Sequence, residues 1–123
     1  MLRWVFRLVR TPAAGYFVGL IFAYFSFVIP TRRLRETKTL IAFHHPQPSY
    51  PTHILIVPKK QLQDMTSLDA TDSEFMQDLF AVTASLVNEL GLAPAGYRLI
   101  TNGGSYQDVK QLHFHLISGD SLP

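Results

Sequence analysis

The sequence contains no cysteine among its 123 residues. This absence excludes disulfide bonds, thiolate metal sites and cysteine nucleophiles, and it fits a reducing compartment without requiring one. Charged residues make up only 16% of the chain, and no internal repeat or low-complexity segment is present. A chain of this length with 47% hydrophobic residues is expected to form one domain with a substantial core.

The few charges are unevenly distributed. Residues 1–40 contain seven basic side chains and one acidic side chain, a net charge of +6, whereas residues 41–123 contain four basic and eight acidic ones, a net charge of −4. A basic end of this kind is typical of a segment beside an anionic surface, so membrane lipid is an expected partner. Nucleic acid is not expected as a partner, because the second part has no basic patch interleaved with aromatic residues.

The longest run without charge extends over the 21 residues from Thr11 to Thr31. As a helix it would be about 31 Å long, enough to cross a hydrocarbon core, and residues 1–10 would lie in the interface. We therefore predict an interfacial segment and transmembrane helix over residues 1–31 and a globular domain over residues 32–123. A cleaved signal peptide and a helix packed on its own domain or a partner are the alternatives.

Basic residues stand on both sides of the predicted span. Four follow it before residue 40, namely Arg32, Arg33, Arg35 and Lys38. The positive-inside rule therefore leans only slightly towards a single-pass membrane protein with a cytoplasmic C-terminal domain.

The globular part predicts strands around a single helix. Residues 32–43 form a hairpin pattern, 53–57 an apolar strand and 97–101 a further strand. A capping box at Thr71–Glu74 precedes a helix that ends at Gly91. The predicted buried stripe of this helix is Phe75, Leu79, Val82, Leu86 and Leu90. We expect an α+β domain with an antiparallel five-stranded sheet and one main helix.

The last predicted strand carries the most distinctive pattern. Alternation places Leu112, Phe114 and Leu116 on one face and Gln111, His113 and His115 on the other. Imidazoles change charge near pH 7, so this row indicates a functional site, although a solvated face would show the same spacing. Two histidines at this spacing also suit a metal pair, but no third ligand pattern accompanies them, and we predict no metal.

These residues resemble the motif of the histidine triad (HIT) family of nucleotide-binding hydrolases and transferases, His-x-His-x-His followed by apolar residues. Further segments match that family in the same order: residues 29–33, 41–44, 51–60, 91–92, 96–98 and 102–104. The resemblance implies a HIT-like α+β fold, a purine nucleotide substrate, no cofactor and, as is common in the family, a homodimer with a continuous sheet.

The resemblance also implies roles for individual residues. His113 would attack the α-phosphorus of a nucleotide, with its second nitrogen held by the backbone carbonyl of Gln111, and His115 would donate a hydrogen bond to the phosphate. Gln111 replaces the first histidine of the motif as the third predicted catalytic residue. The predicted nucleotide-binding residues are His44, His45, Asn102, Gln107 and Asp108.

Two of the predicted nucleotide-binding residues also depart from the family pattern. Asp108 stands where the family has a small hydroxyl residue, and His45 stands where it has an acid that holds the ribose hydroxyls. The sequence therefore leaves two functions open. One is a membrane-anchored hydrolase of nucleoside phosphoramidates or related phosphoanhydrides that acts through a His113 nucleotidyl intermediate. The other is a catalytically weak or inactive accessory subunit of a membrane protein complex.

Overall fold

The computed structural model describes residues 32–123. The predicted interfacial segment and transmembrane helix, at residues 1–31, lie outside this range. Within residues 32–123 there is no helix of the length and apolar character needed to cross a membrane.

One antiparallel sheet forms the centre of the domain. Its strands, in chain order, are β1 (Arg33–Glu36), β2 (Leu40–His44), β3 (Thr52–Pro58), β4 (Arg98–Ile100) and β5 (Phe114–Ser118), and their spatial order is β1-β2-β3-β5-β4. Every neighbouring pair is antiparallel. The predicted α+β fold with five strands and one main helix is confirmed, and the apolar strand β3 is the central strand of the sheet. Because β3 pairs directly with β5, residues from both strands meet on the same face.

The main helix, α1, extends over Ser73–Leu90 and ends as predicted at Gly91, which has a φ of 62°. Leu90 was predicted to be buried, and this is wrong because its side chain is 40% exposed. The left-handed turn at Gly91 directs the chain back to the core, where Leu92 is buried and its N–H donates to the Val87 carbonyl at 3.0 Å.

The predicted capping box is also wrong. Asp72, the N-cap of α1, makes no side-chain capping hydrogen bond. Its carboxylate instead accepts from the Lys60 ammonium at 2.9 Å and from the Asp69 N–H at 3.1 Å. A short 3-10 helix, Ala70–Asp72, runs directly into α1, so the chain is already helical where the sequence pattern placed the cap.

The two faces of the sheet carry different groups of buried residues. One face packs against α1 and forms the main core, to which Ala42, Ile54 and Leu116 contribute. The other carries a smaller buried group of four residues, Ile41, Phe43, Leu55 and Val57. Strand register places Phe43 opposite Leu55, and Leu55 opposite His115. His115 therefore lies on the face opposite α1, beside this smaller apolar group.

Substitution of Leu86 by alanine tests the helix packing. Leu86 is fully buried in the main core, so we expect the free energy of unfolding to fall by about 2–5 kcal/mol. Phe80→Ala on the same helix is the matched control, because Phe80 is 65% exposed and should change stability by only about 0.5 kcal/mol. Urea denaturation of both variants provides the measurement, and equal losses would contradict the assignment.

Candidate active site

His113 and His115 lie beside each other at the start of β5. His113 immediately precedes the strand, His115 is its second residue, and their ring centroids are 5.0 Å apart. The pairing of β5 with β3 and β4 fixes the backbone on both sides of His115, since it lies opposite Leu55 and Ile100. The structure therefore brings together the two imidazoles that the sequence analysis placed in the site.

A backbone carbonyl orients the His113 ring. His113 Nδ1 lies 2.7 Å from the Gln111 carbonyl oxygen, which only accepts hydrogen bonds. Nδ1 must therefore carry the proton, and Nε2 keeps its lone pair. The carbonyl of His113 itself accepts from the hydroxyl of Thr101 at 2.8 Å, so the residue that follows β4 also holds His113. A neutral imidazole with one nitrogen fixed as a donor has the other available as a nucleophile.

The Gln111 side chain occupies a different place from the imidazole rings. It is fully buried, its Oε1 accepts from the Leu62 N–H at 3.3 Å, and its Nε2 donates to the Lys60 carbonyl at 3.4 Å. The alternation that groups it with His113 and His115 applies to an extended strand, whereas β5 begins only at Phe114. The backbone carbonyl of Gln111 is thus part of the site, whereas its side chain holds the segment after β3 by hydrogen bonds.

His53 is a site residue that is absent from the predicted catalytic and nucleotide-binding residues. Its Nε2 lies 2.8 Å from His115 Nδ1, and its ring centroid is 4.4 Å from that of His45. Alternation along β3 places His53 on the same face as Leu55, so strand pattern combined with register would have found it. Register between β3 and β5 is not readable from a single sequence, however, and the contact became visible only in the fold.

Burial keeps the clustered imidazoles neutral. Desolvation is the main cause of a lowered pKa at four histidines, and neighbouring imidazoles add to it at two of them. The pKa falls to about 3 at His115 and to about 4 at His45, and it lies below the ordinary 6.5 at His53 and His113. At His113 the hydrogen bond to Gln111 and the nearby Asp108 carboxylate oppose this shift. At neutral pH the site therefore presents uncharged rings.

The other predicted nucleotide-binding residues lie at varying distances from this cluster. His45 follows β2, is half-buried and stacks beside His115 with ring centroids 6.2 Å apart. His44 is exposed, and because it pairs with Ile54 it belongs to the α1 side of the sheet. The structure does not bring His44 to the imidazole cluster.

Three predicted residues lie in the segment between β4 and β5. Gln107 is buried, and its Nε2 donates to the Gln63 carbonyl at 2.7 Å, so its amide helps to hold this segment. Asp108 is exposed but close enough to influence the pKa of His113. Asn102 is half-buried just after β4.

One arrangement in the described part of the chain has the dimensions of a metal site. His45, His53 and His115 each offer a ring nitrogen, and these nitrogens lie within 4.8 Å of one another. Neutral imidazoles are ligands for Zn²⁺ and similar ions. The sequence analysis predicted no metal because no third-ligand pattern accompanies the two histidines of the last strand. The structure brings His53 from β3 and His45 from the loop after β2 to His115.

Comparison with known proteins gives a consistent result. The HIT domain family model matches residues 26–122. An uncharacterized HIT-like protein of Rickettsia prowazekii is 37% identical over 97 residues, which cover 76% of this chain and 81% of that protein. Among solved structures, a HIT family hydrolase from Legionella pneumophila has a TM-score of 0.73 at 33% identity and covers 82% of this chain and 92% of its own.

A second solved structure, a histidine triad nucleotide-binding protein from Candida albicans, has a TM-score of 0.71 at 27% identity, over 87% of this chain and 79% of its own. The fold and the paired imidazoles define the class that these comparisons describe. The chain belongs to the HIT domain family.

The lowered pKa values predict how stability depends on pH. Below about pH 6.5 the unfolded chain protonates its histidines, whereas His45 and His115 stay neutral in the folded protein down to about pH 4 and about pH 3. The unfolded state binds more protons in this window, so the free energy of unfolding should fall as the pH falls. His115→Asn removes one such group and should make the fall shallower.

Urea denaturation at a series of pH values between about 7 and about 4 measures this slope. Phe80→Ala is the control, because it removes no titrating group and should keep the wild-type slope. A His115→Asn slope as steep as that of the wild type would show that the ring protonates normally in the folded protein.

Proposed function

We propose that the protein is a HIT-type hydrolase that acts on nucleoside phosphoramidates or related phosphoanhydrides through a nucleotidyl intermediate on His113. The observation that carries this proposal is the 2.7 Å hydrogen bond from His113 Nδ1 to the Gln111 carbonyl, which leaves Nε2 as a nucleophile. The likeness to a Legionella protein described as a hydrolase and to a Candida protein described as nucleotide-binding supports it.

Two steps account for this activity. In the first, His113 Nε2 forms a bond to the α-phosphorus while the bond from phosphorus to the leaving nitrogen or oxygen breaks, and the leaving group takes up a proton. In the second, water attacks the same phosphorus, the bond to Nε2 breaks, and a nucleoside monophosphate is released. Neutral imidazole is a good leaving group from the cationic phosphoimidazole, so one difficult displacement becomes two easier ones.

The surroundings of His113 suit this chemistry. The nucleophile must be neutral, and burial lowers its pKa, which keeps it so at neutral pH. His115 lies beside it and would donate a hydrogen bond to a phosphoryl oxygen. The Asp108 carboxylate acts in the opposite direction, because a negative charge near a phosphate raises the cost of binding the nucleotide. We expect Asp108→Ser to lower the KM for this reason.

Removal of the nucleophile is the direct test. Purified protein with an adenosine phosphoramidate should release adenosine monophosphate, and His113→Ala should lower kcat/KM by at least about a thousandfold. A labelled nucleotide should also become covalently attached to the wild type and not to the variant. The assay is chromatographic detection of adenosine monophosphate, with rapid quenching in alkaline denaturant to trap the intermediate, because a phosphorus–nitrogen bond is hydrolysed in acid.

His44→Ala is the matched control for this test. It removes another imidazole, but one that is exposed and belongs to the opposite side of the sheet. Its kcat/KM should stay within about threefold of the wild-type value. Equal activity of His113→Ala and wild type, or wild-type protein that neither binds nor turns over the nucleotide, would rule out the proposed reaction.

The anchoring of this domain to a membrane is a second part of the proposal. It is supported by the uncharged run of residues 11–31 and by the basic residues on both sides of it. The same run would serve the alternative function, an accessory subunit packed against other membrane helices. A cytoplasmic orientation of residues 32–123 is proposed with it.

Flotation with lipid vesicles tests the anchor. The full chain should move with the vesicles, and replacing both Gly19 and Phe22 by arginine should leave it in the aqueous fraction, because each central charge costs about 3 kcal/mol. Wild-type protein that stays in the aqueous fraction would contradict the anchor. Co-purification of further subunits from detergent extracts, with no nucleotide turnover, would favour the accessory role.

A further inference from the structure

The loop between β2 and β3 offers few backbone N–H groups. Pro46 and Pro48 have none, so the N–H groups in this stretch come from the residues that alternate with them. One of these, the Ser49 N–H, donates to His53 Nδ1 at 3.0 Å. A backbone N–H cannot accept, so His53 Nδ1 must be the acceptor and carries no proton while this hydrogen bond is made.

This direction determines where the His53 proton lies. Burial lowers the pKa of His53, so the ring is neutral at neutral pH and carries one proton. With Nδ1 accepting from Ser49, that proton must be on Nε2. Nε2 lies 2.8 Å from His115 Nδ1, which must therefore accept. The single proton of neutral His115 is then on its own Nε2, on the side of the ring away from His53.

The same loop fixes a third imidazole. The Gln47 N–H donates to His45 Nδ1 at 2.9 Å, which places the proton of neutral His45 on Nε2. Histidines that bind metal ions usually donate their second N–H to a carbonyl or carboxylate. Here the Nδ1 atoms of His45 and His53 accept from backbone N–H groups, so the Nε2 atom of each neutral ring carries the proton. The cluster therefore has the dimensions of a metal site but the wrong tautomers for it.

The loop is held against the end of β5. The Leu122 N–H donates to the Ser49 carbonyl at 2.8 Å. Pro51 approaches Gly119 so closely that a Cβ there would lie 2.8 Å from its ring, and the φ of Gly119 is +91°. Only glycine satisfies both conditions without strain. These contacts make the loop a fixed source of N–H groups.

We propose that the proline-containing loop 46–51 is a positioning element that sets the tautomers of the histidine cluster, with the Ser49 N–H acting through His53 to place the His115 proton on Nε2. As a result, the cluster presents an N–H to an anionic phosphoryl group and does not bind a divalent cation. The role towards the phosphoryl group rests on the proposed function, whereas the tautomers do not.

Long-range ¹H–¹⁵N correlation spectra of the ligand-free full-length protein test the tautomers directly. The chain has five histidines, so single substitutions assign each ring. His45, His53 and His115 should show protonated Nε2, and His113 the opposite pattern, which makes it an internal reference in the same spectrum. A wild-type His53 or His115 ring with its proton on Nδ1 would overturn the proposal without any variant.

Two substitutions at one position separate the N–H from the side chain. Ser49→Pro removes the N–H, whereas Ser49→Ala keeps it. Ser49→Ala should keep the wild-type tautomers and activity. Ser49→Pro should give mixed tautomers at His53 and His115 and lower kcat roughly tenfold with little change in KM, the equivalent of one hydrogen bond in the transition state. A folded Ser49→Pro variant with wild-type tautomers would contradict the proposal.

Addition of Zn²⁺ completes the test. One equivalent should leave the ¹⁵N signals of the three rings unchanged, and a shift of all three with loss of their Nε2 protons would overturn the proposal by showing a metal site. The expected tautomers in a protein without nucleotide turnover would leave the positioning role in place and reject only the proposed hydrolase activity. The two failures are therefore distinguishable.

Discussion

The site depends on one hydrogen bond, between His113 Nδ1 and the backbone carbonyl of Gln111. A carbonyl can only accept, so this contact decides which nitrogen of His113 holds the proton and which is free to react. Because the acceptor belongs to the main chain, it does not depend on the side chain at position 111. The orientation of His113 is therefore compatible with the glutamine found at position 111.

Burial of four imidazoles lowers their pKa values. It also costs free energy, because the ring nitrogens lose hydrogen bonds to water. Hydrogen bonds within the site offset this cost. Backbone N–H groups of the loop after β2 donate to one nitrogen of His45 and one of His53. One nitrogen of His113 bonds the Gln111 carbonyl, and one nitrogen of His115 bonds His53. The same contacts that stabilise the buried rings also fix their tautomers, so stability and reactivity have a common origin.

The edges of the site differ in character from its centre. The Gln111 amide makes hydrogen bonds to the backbone of the segment after β3. The His45 ring contacts the His53 ring in a tilted arrangement, and Asp108 adds a carboxylate near His113. The central pair, His113 and His115, keeps the geometry that the paired strands impose. Main-chain contacts therefore fix the positions of the two central rings, and side chains at the edge alter their surroundings.

The strands, the helix, its end at Gly91 and the pairing of His113 with His115 were readable from periodicity and from the order of the HIT-like segments. Residue types at local spacing determine these features, because side-chain alternation and capping act over a few residues. Only the tertiary structure decided that Gln111 turns inward, that His44 lies on the α1 side, and that His53 and the Ser49 N–H join the site. These contacts depend on strand register and on the path of a loop, and packing between distant segments, which no local pattern encodes, determines both.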